Sequence, residues 1–457
     1  MRLFIKHKFT TTQMITGGFF LAIFLGGLIL TLPIASKSRE FTPFVDALFM
    51  STTSVCVTGL TTVVTVEHWS LFGQFVILFL MQLGGLGVVT FLTGILLVLK
   101  KRVTLKDRLL IQEAYNLSTL KGLVKLTIKI AKGAFLVEGI GAIIYSIQFI
   151  PEYGIMKGVW YSIFHAVSAF CNAGIDLIGP TGFFKYQLNP IINLNTMMLI
   201  IMGGIGFPVW WDIISKIKMK RKDKTPFGVV LRKFELHTKI AITVTVILIL
   251  FGATFIFINE FSNDSTIGNM NVAQKIMASF FESVTFRTAG FSTIPQEHLK
   301  VSSALIGVIL MFIGGSPSGT AGGIKTVTFA VLVIAAVSSV KGKHNLEVYG
   351  RRLDDGYVKK SLAIFLFSFT TLMVSTICLS LTMERDLIDI LYETASALGT
   401  VGLSRNLTPS LPTVGKYIII LTMYLGRIGP LSLALALKVG KNKGKGIQLP
   451  EDNVLVG

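Results

Sequence analysis

Apolar residues in this chain gather in long runs instead of alternating with polar ones. Residues 14–32, 75–99 and 240–258 are nearly unbroken apolar stretches, close to the roughly 20 residues a helix needs to cross hydrocarbon. Four shorter runs, rich in Ser and Thr, lie between long ones: 43–55, 157–170, 272–284 and 387–398. They are too short to span a bilayer and suit re-entrant half-helices. Each long–short–long set therefore predicts two spanning helices with a dipping loop between them. Irregular backbone at membrane depth is tolerated only where protein buries it or it lines a water-filled cavity. Four dipping loops imply a pore.

Composition removes the soluble alternatives. Charged residues make up 15% of the chain and hydrophobic ones 52%, whereas soluble domains carry about 25% charged side chains. A soluble enzyme is excluded. The six histidines form no HExxH pair, no nucleophile–base pairing stands out, and no cofactor is expected in this chain. Cys56, Cys171 and Cys378 are far apart and read as small buried apolar residues, not as a disulfide or zinc framework.

The net charge of +19 is unevenly placed. Of 43 Lys and Arg, 31 fall in five segments: the N-terminus (Arg2, Lys6, Lys8), 100–132, 216–239, 341–360, and the tail from Lys438. Excess Lys and Arg mark cytoplasmic loops, so both termini and all three long loops are expected in the cytoplasm of a multi-pass protein of the cell membrane. With no aromatic-interleaved basic domain, no nucleic-acid partner is expected; the lipid bilayer is. The expected architecture is an all-α polytopic membrane protein with eight transmembrane helices. Its four M1–P–M2 (helix–pore loop–helix) repeats surround a central pore. Repeat 1 with its N-terminus covers 1–100, repeat 2 covers 101–218, repeat 3 covers 219–345, repeat 4 covers 346–440, and a cytoplasmic tail covers 441–457.

A fourfold motif supports that division. Gly59, Gly174, Gly290 and Gly402 follow the short runs at spacings of 115, 116 and 112 residues. Ten positions before each stands an aromatic: Phe49, Phe164, Phe280 and Tyr392. Downstream come Gly84-Gly85, Gly203-Gly204, Gly314-Gly315 and Gly426-Arg427. Glycine reaches left-handed conformations that aim successive carbonyls inward, and it has no Cβ to crowd an axis. Rings of carbonyls can replace an ion's hydration shell. The residues before the glycines, Val57-Thr58, Asn172-Ala173, Thr288-Ala289 and Thr400-Val401, carry no charge. These twelve positions are the expected filter, for a monovalent cation held by neutral oxygens.

The stretches VTGL, FHAVSAFCNAG, VTFRTAGF, GGSPSGTAGGIK, ALGTVGL and LGRIGP resemble the TrkH/TrkG/KtrB/HKT superfamily of potassium transporters. The resemblance runs from about residue 13 to the C-terminus and is greatest to the KtrB-type membrane subunit of bacterial Ktr systems. It implies potassium uptake, often sodium-stimulated, a homodimer, and a cytosolic nucleotide-binding (RCK-type) regulatory ring. One glycine per repeat, without a TVGYG string, predicts fewer coordination rings than in potassium channels, hence potassium preference with measurable sodium permeation. A secondary cation symporter coupled to sodium or protons is the alternative; inverted repeats and midplane ionisable groups would favour it, and the four repeats here share one order.

Two anomalies point to a gate. The second long run of repeat 3, 301–340, is broken by Gly314, Gly315, Ser316, Pro317, Ser318, Gly319, Thr320, Ala321, Gly322 and Gly323, with Lys325 just beyond. Clustered Gly and Pro do not hold a helix, and broken helices at membrane depth mark ion sites. Arg427 lies in the apolar stretch 418–437, where a central charge costs about 2.5–3.5 kcal/mol. It is expected to contact oxygens of the broken loop; in the family the matching arginine and loop form an intramembrane gate. His165, Glu282, Glu393 and Glu138 are expected to tie helices together, and Arg287 to brace the filter by pairing with an acid such as Glu282. Trp210-Trp211 and Lys216 read as an interfacial anchor.

Overall fold

The structure, a computed structural model, describes residues 10–87, 89–91, 93, 104–114, 123–223, 226–342 and 345–429. The basic N-terminal stretch, the end of the run 75–99, segments 100–103 and 115–122, residues 430–437 and the tail 441–457 lie outside the described residues, together with the charge signals they carry.

A long helix, a short helix and a further helix follow one another four times. The first set is α1 (Thr11–Thr31), α2 (Phe44–Cys56), the one-turn α3 (Thr65–His68) and α4 (Leu71–Leu86). After α5 (Leu105–Ala114) come α6 (Leu123–Tyr153), α7 (Ile155–Phe170), α8 (Pro190–Gly204) and α9 (Phe207–Asp223). The third set opens with α10 (Phe227–Arg232) and holds α11 (Leu236–Glu260), α12 (Val272–Thr285), α13 (Val301–Ile313) and α14 (Thr326–Val340). A hairpin of β1 (Leu346–Val348) and β2 (Arg351–Leu353) leads to α15 (Asp355–Ser380), α16 (Leu387–Gly399) and α17 (Thr413–Ile428). Helix starts follow local chemistry. Thr10 with Gln13 and Asn271 with Gln274 form capping boxes for α1 and α12, satisfying N–H groups that have no intrahelical partner. Asn189 caps α8 ahead of Pro190.

Among the described residues, α1, α6, α11 and α15 are long and apolar enough to cross a membrane, and α8 with α9 forms a further candidate bent by 97°. Polarity is inverted relative to a soluble protein. Ile143 of α6, Ile258 of α11 and Ile377 of α15 are 68%, 69% and 60% exposed, while Ser51, Thr52, Thr53 and Ser54 of α2 are fully buried. Such a surface belongs in lipid. Cys56 and Cys171 are buried as expected, but Cys378 is exposed on α15, because α15 turns that face outward alongside Val374 and Ile377.

The four short helices form the centre, and the sets interlock in a ring. The last helix of each set packs on the short helix of the next: α4 on α7, α8 on α12, α13 on α16, and α17 back on α2. Polar ties follow the same order. Trp160 Nε1 donates to Gln74 Oε1 at 2.9 Å between sets one and two. Arg405 pairs with Asp389 and donates to the carbonyls of Gln296 and Leu299 at 2.7 and 3.2 Å, joining sets four and three. Lys416 meets Asp46 at 2.6 Å, closing four onto one.

The downstream glycines permit close approach. A Cβ on Gly84, Gly203 or Gly426 would overlap the carbonyl oxygen of Val55, Phe170 or Leu398, each at the end of the short helix in its own set. Three residues later Gly87, Gly206 and Gly429 take positive φ and end the regular helix. A break at this position is therefore shared by sets one and two, where helix resumes beyond Gly87 and Gly206, and Gly429 bounds α17 in the same register, whereas the sequence reading singled out only the third. What distinguishes set three is the length of the interruption, from Gly314 to Lys325.

Gly84→Ala should lower the melting temperature of the detergent-solubilised protein, by an overpacking cost of about 1–3 kcal/mol. Gly139→Ala, where nothing lies within 4 Å of a new Cβ, should leave it unchanged or raise it. Fluorescence-detected size exclusion after heating reads both.

Candidate cation site

The short helices end at one place. Val57, Asn172, Thr288 and Thr400 all have left-handed backbone, with φ of 51°, 58°, 69° and 51°, a conformation uncommon for residues other than glycine. Two residues on, Gly59, Gly174, Gly290 and Gly402 have φ of 100°, 65°, 81° and 101°. The same reversal thus occurs four times. The carbonyls of Thr58, Ala173, Ala289 and Val401 complete the arrangement. A Cβ on Gly59 would lie 2.5 Å from the Ala173 oxygen, and one on Gly174 would lie 2.5 Å from the Ala289 oxygen. On Gly290 it would strike the Val401 oxygen, and on Gly402 the Thr58 oxygen. The contacts run one to two, two to three, three to four and four to one. All twelve expected filter residues are brought together in a closed ring whose bore only glycine leaves open.

Hydroxyls hold this backbone. Thr53 and Ser396 accept from the N–H of Gly59 and Gly402 at 2.9 and 3.0 Å. Ser168 and Thr285 donate to the carbonyls of Ile175 and Phe291 at 2.7 and 2.6 Å. The sequence reading missed these four; their signal is a Ser or Thr six residues before the glycine, five in the third set. That offset exposes an error of register. Ser51 donates to the Ile23 carbonyl and Ser283 to the Ile249 carbonyl, both at 2.7 Å, so these two serines correspond, at eight and seven residues before their glycines. The third set is one residue shorter there, and the buried counterpart of Phe49, Phe164 and Tyr392 is Phe281, not the expected Phe280.

Three polar groups tie the short helices to the chain beyond the ring. His165 Nε2 accepts from Leu177 N–H at 3.2 Å. Glu282 accepts from Gln296 at 3.1 Å, and Glu393 from Ser404 at 2.6 Å and from Thr408. Glu138 of α6 accepts from Gln82 of α4 at 3.1 Å. Arg287 departs from expectation. Its guanidinium donates to the Gly314 carbonyl at 3.3 Å and to Thr245 at 3.4 Å, and Glu282 is not its partner. Arg287 lies in the turn beyond the last residue of α12, Thr285, so the helical register that places Glu282 does not place its side chain.

The interruption 314–325 lies directly against the ring. Thr320 Oγ1 donates to Asn172 Oδ1 at 2.9 Å, and a Cβ on Gly322 would meet Thr400. Backbone bonds fasten it to the bend of set two: Ser316 N–H to the Gly204 carbonyl at 2.8 Å, Thr320 N–H to the Gly203 carbonyl at 3.1 Å, and Phe207 N–H to the Ser318 carbonyl at 3.1 Å. Pro317 and Gly319 press on Gly206 and Gly203, and Gly315 on Ala321. Gly323 and Lys325 have φ of 72°, and the Lys325 ammonium donates to the Ala321 carbonyl. Arg427 donates to the carbonyls of Thr320 and Gly84, so it clamps the interruption to α4. A cavity of about 330 Å³ opens on the glycine side of the ring, beside Asp176 and Glu297. One of about 240 Å³, beyond the interruption, is lined by Gly85, Ser318, Gly319, Lys325 and Arg427. Trp210 and Trp211 lie apart from both, Trp210 Nε1 bonding the Met202 carbonyl and Lys129 standing 5.8 Å over Trp211.

Within the ring the hydroxyls of Thr58, Thr288 and Thr400 are buried without a hydrogen-bond partner. Buried polar atoms are costly unless something satisfies them, and neutral oxygens can satisfy a desolvated cation. Among the described residues no group of three or more His, Cys, Asp or Glu converges. These features define a membrane-embedded cation pathway. The chain belongs to the TrkH family of cation transport proteins: the family model described as "TrkH: Cation transport protein" matches residues 5–446. It is 39% identical to the potassium/sodium uptake protein NtpJ of Enterococcus hirae, over 99% of this chain and 98% of that protein. It is 37% identical to Ktr system potassium uptake protein B of Bacillus subtilis, over 98% and 97%. The crystal structure of the potassium transporter TrkH from Vibrio parahaemolyticus has the same fold, with a TM-score of 0.74 at 16% identity, covering 96% of this chain and 86% of that one. The relatives are transport proteins and not enzymes.

Gly402→Ala should cut cation flux into liposomes by on the order of tenfold or more, since a methyl group would occupy the bore. The variant should still elute as folded protein on size exclusion.

Proposed function

We propose that this chain is the ion-translocating, channel-like subunit of a Ktr-type potassium uptake system of the cell membrane. The observation that carries the reading is the closed ring of four left-handed turns, with glycines at the bore and unpartnered threonine hydroxyls beside it. In this reading the chain holds four M1–P–M2 repeats, divided at 1–100, 101–218, 219–345 and 346–440, with eight spans about one axis. Both termini, including the tail 441–457, face the cytoplasm. Val57 to Gly59, Asn172 to Gly174, Thr288 to Gly290 and Thr400 to Gly402 form the selectivity filter. The relatives named for potassium, or potassium and sodium, uptake support the choice of ion.

Potassium is the substrate, and the membrane potential drives it. A negative interior is worth about 2.3 kcal/mol per unit charge per 100 mV, so uptake needs no hydrolysis by this chain. Residues Gly314 to Gly323, with Lys325, form the gate beneath the filter, and Arg427 is its latch and a positive barrier to cations. Opening requires the loop to leave the ring, which means breaking the two carbonyl contacts of Arg427. The likeness to Ktr subunits supports a homodimer and a cytosolic nucleotide-binding (RCK-type) ring as partners, with sodium as activator.

Rubidium uptake by cells lacking their own potassium systems tests the whole reading: wild-type chain should restore uptake, and Gly290→Ser should reduce it and its preference over sodium. Equal permeability to both ions in wild type would defeat the potassium assignment. Arg427→Ala, or deletion of Gly319 to Gly322, should raise flux in liposomes several-fold, because each removes the contact that holds the loop to α4. Unchanged or lower flux in well-folded variants would remove the gate assignment.

A further inference from the structure

We propose that a cavity between the first two helix sets, where α4 and α7 begin, binds the phosphate of an anionic phospholipid. Basic residues outside the five cationic segments are few, and most are tied down. Lys185 pairs with Glu152, Arg405 with Asp389 and Lys416 with Asp46. Lys275 and Lys300 each donate to a backbone carbonyl at 2.6 Å. Arg39 and Lys157 are different: both are exposed, and among the described residues neither has a hydrogen-bond or ion-pair partner. Both line the same cavity of about 820 Å³, which Lys37 also joins. The Lys37 ammonium donates to the Val66 carbonyl, and no Asp or Glu is among the cavity's described lining residues, so two unpaired cations and a third bonded only to a carbonyl face one space with no acid to neutralise them.

The remaining walls select the kind of anion. Trp160 and Tyr161 form one side, and the Trp160 ring is fixed by its bond to Gln74. Aromatic residues of this type settle at the headgroup level of a bilayer. Ile34 and Leu71 at the rim are 62% and 69% exposed, and Phe75, one turn along α4, is 56% exposed, so the basic pocket continues into apolar surface suited to acyl chains. Ser70 and Leu71, where α4 begins, and Lys157 in the first turn of α7 line the cavity, so the positive dipole end of α4 adds to the cations there. A soluble phosphate would use the cations alone; a phospholipid uses the cations, the aromatic wall and the apolar rim together. The orientation proposed above puts the site in the outer leaflet, but binding does not depend on that orientation.

Native mass spectrometry of the full-length protein, titrated in parallel with phosphatidylglycerol, phosphatidylcholine and glycerol 3-phosphate, tests this. Wild type should retain phosphatidylglycerol at about tenfold lower concentration than phosphatidylcholine. The double variant Arg39→Ala/Lys157→Ala should lose that preference with an unchanged melting temperature, and Arg39→Lys/Lys157→Arg should keep it. Equal retention of both lipids by wild type, or a preference undiminished in the alanine pair, would overturn the proposal. So would saturable binding of glycerol 3-phosphate as tight as that of the lipid.

Discussion

Four peptide carbonyls, of Thr58, Ala173, Ala289 and Val401, are brought close together, each against the glycine of a neighbouring set; like dipoles crowded in this way repel, and the rest of the molecule is arranged to hold them there. No side chain could impose that geometry alone. It requires a left-handed residue at Val57, Asn172, Thr288 and Thr400, then a glycine two positions later. It also requires hydroxyls from Thr53, Ser168, Thr285 and Ser396 to fix the backbone. Those hydroxyls must come from helices short enough to end at mid-depth, and such helices need polar anchors of their own, which His165, Glu282 and Glu393 provide. The polar interior of this lipid-exposed protein follows from one electrostatic demand.

Much of this was legible in the sequence because the demand is periodic. Glycines recurring every 112–116 residues, each preceded by a Ser/Thr-rich run, located the ring and its four segments. The short helices start and stop within about two residues of the runs that predicted them. Less visible were features that spacing alone misaligns. Set three is one residue shorter between the serine that bonds its long helix and the glycine, so counting back ten positions selected Phe280 where packing selects Phe281. The pairing of Arg287 failed for a related reason: proximity in sequence favoured Glu282, while Arg287 stands in the turn beyond α12 and its guanidinium meets the Gly314 carbonyl. The stops at Gly87, Gly206 and Gly429 were present in the sequence but looked like the ordinary glycine content of membrane helices.

Departure from fourfold symmetry is concentrated in one sector. In the other three sets a single glycine, Gly87, Gly206 or Gly429, breaks or bounds the helix, while the third inserts a loop pressed against the ring. Two arginines from different sets hold that loop, Arg287 at Gly314 and Arg427 at Thr320, and the bend of set two holds it through backbone bonds. A fourfold scaffold thus carries one asymmetric segment, the gate of the proposed reading, fastened by contacts to carbonyl oxygens. Such contacts can be exchanged without repacking the apolar core.

The tie between Lys416 and Asp46 joins positions 370 residues apart, and α17 fills the space beside α2. The ring therefore lacks its fourth wall until α17 has been made and packed beside α2. In the proposed reading, a nascent fragment that stops short of α17 has no finished passage through which a cell could lose its ion gradients, so joining the first helix set to the fourth delays leakiness until those residues are in place.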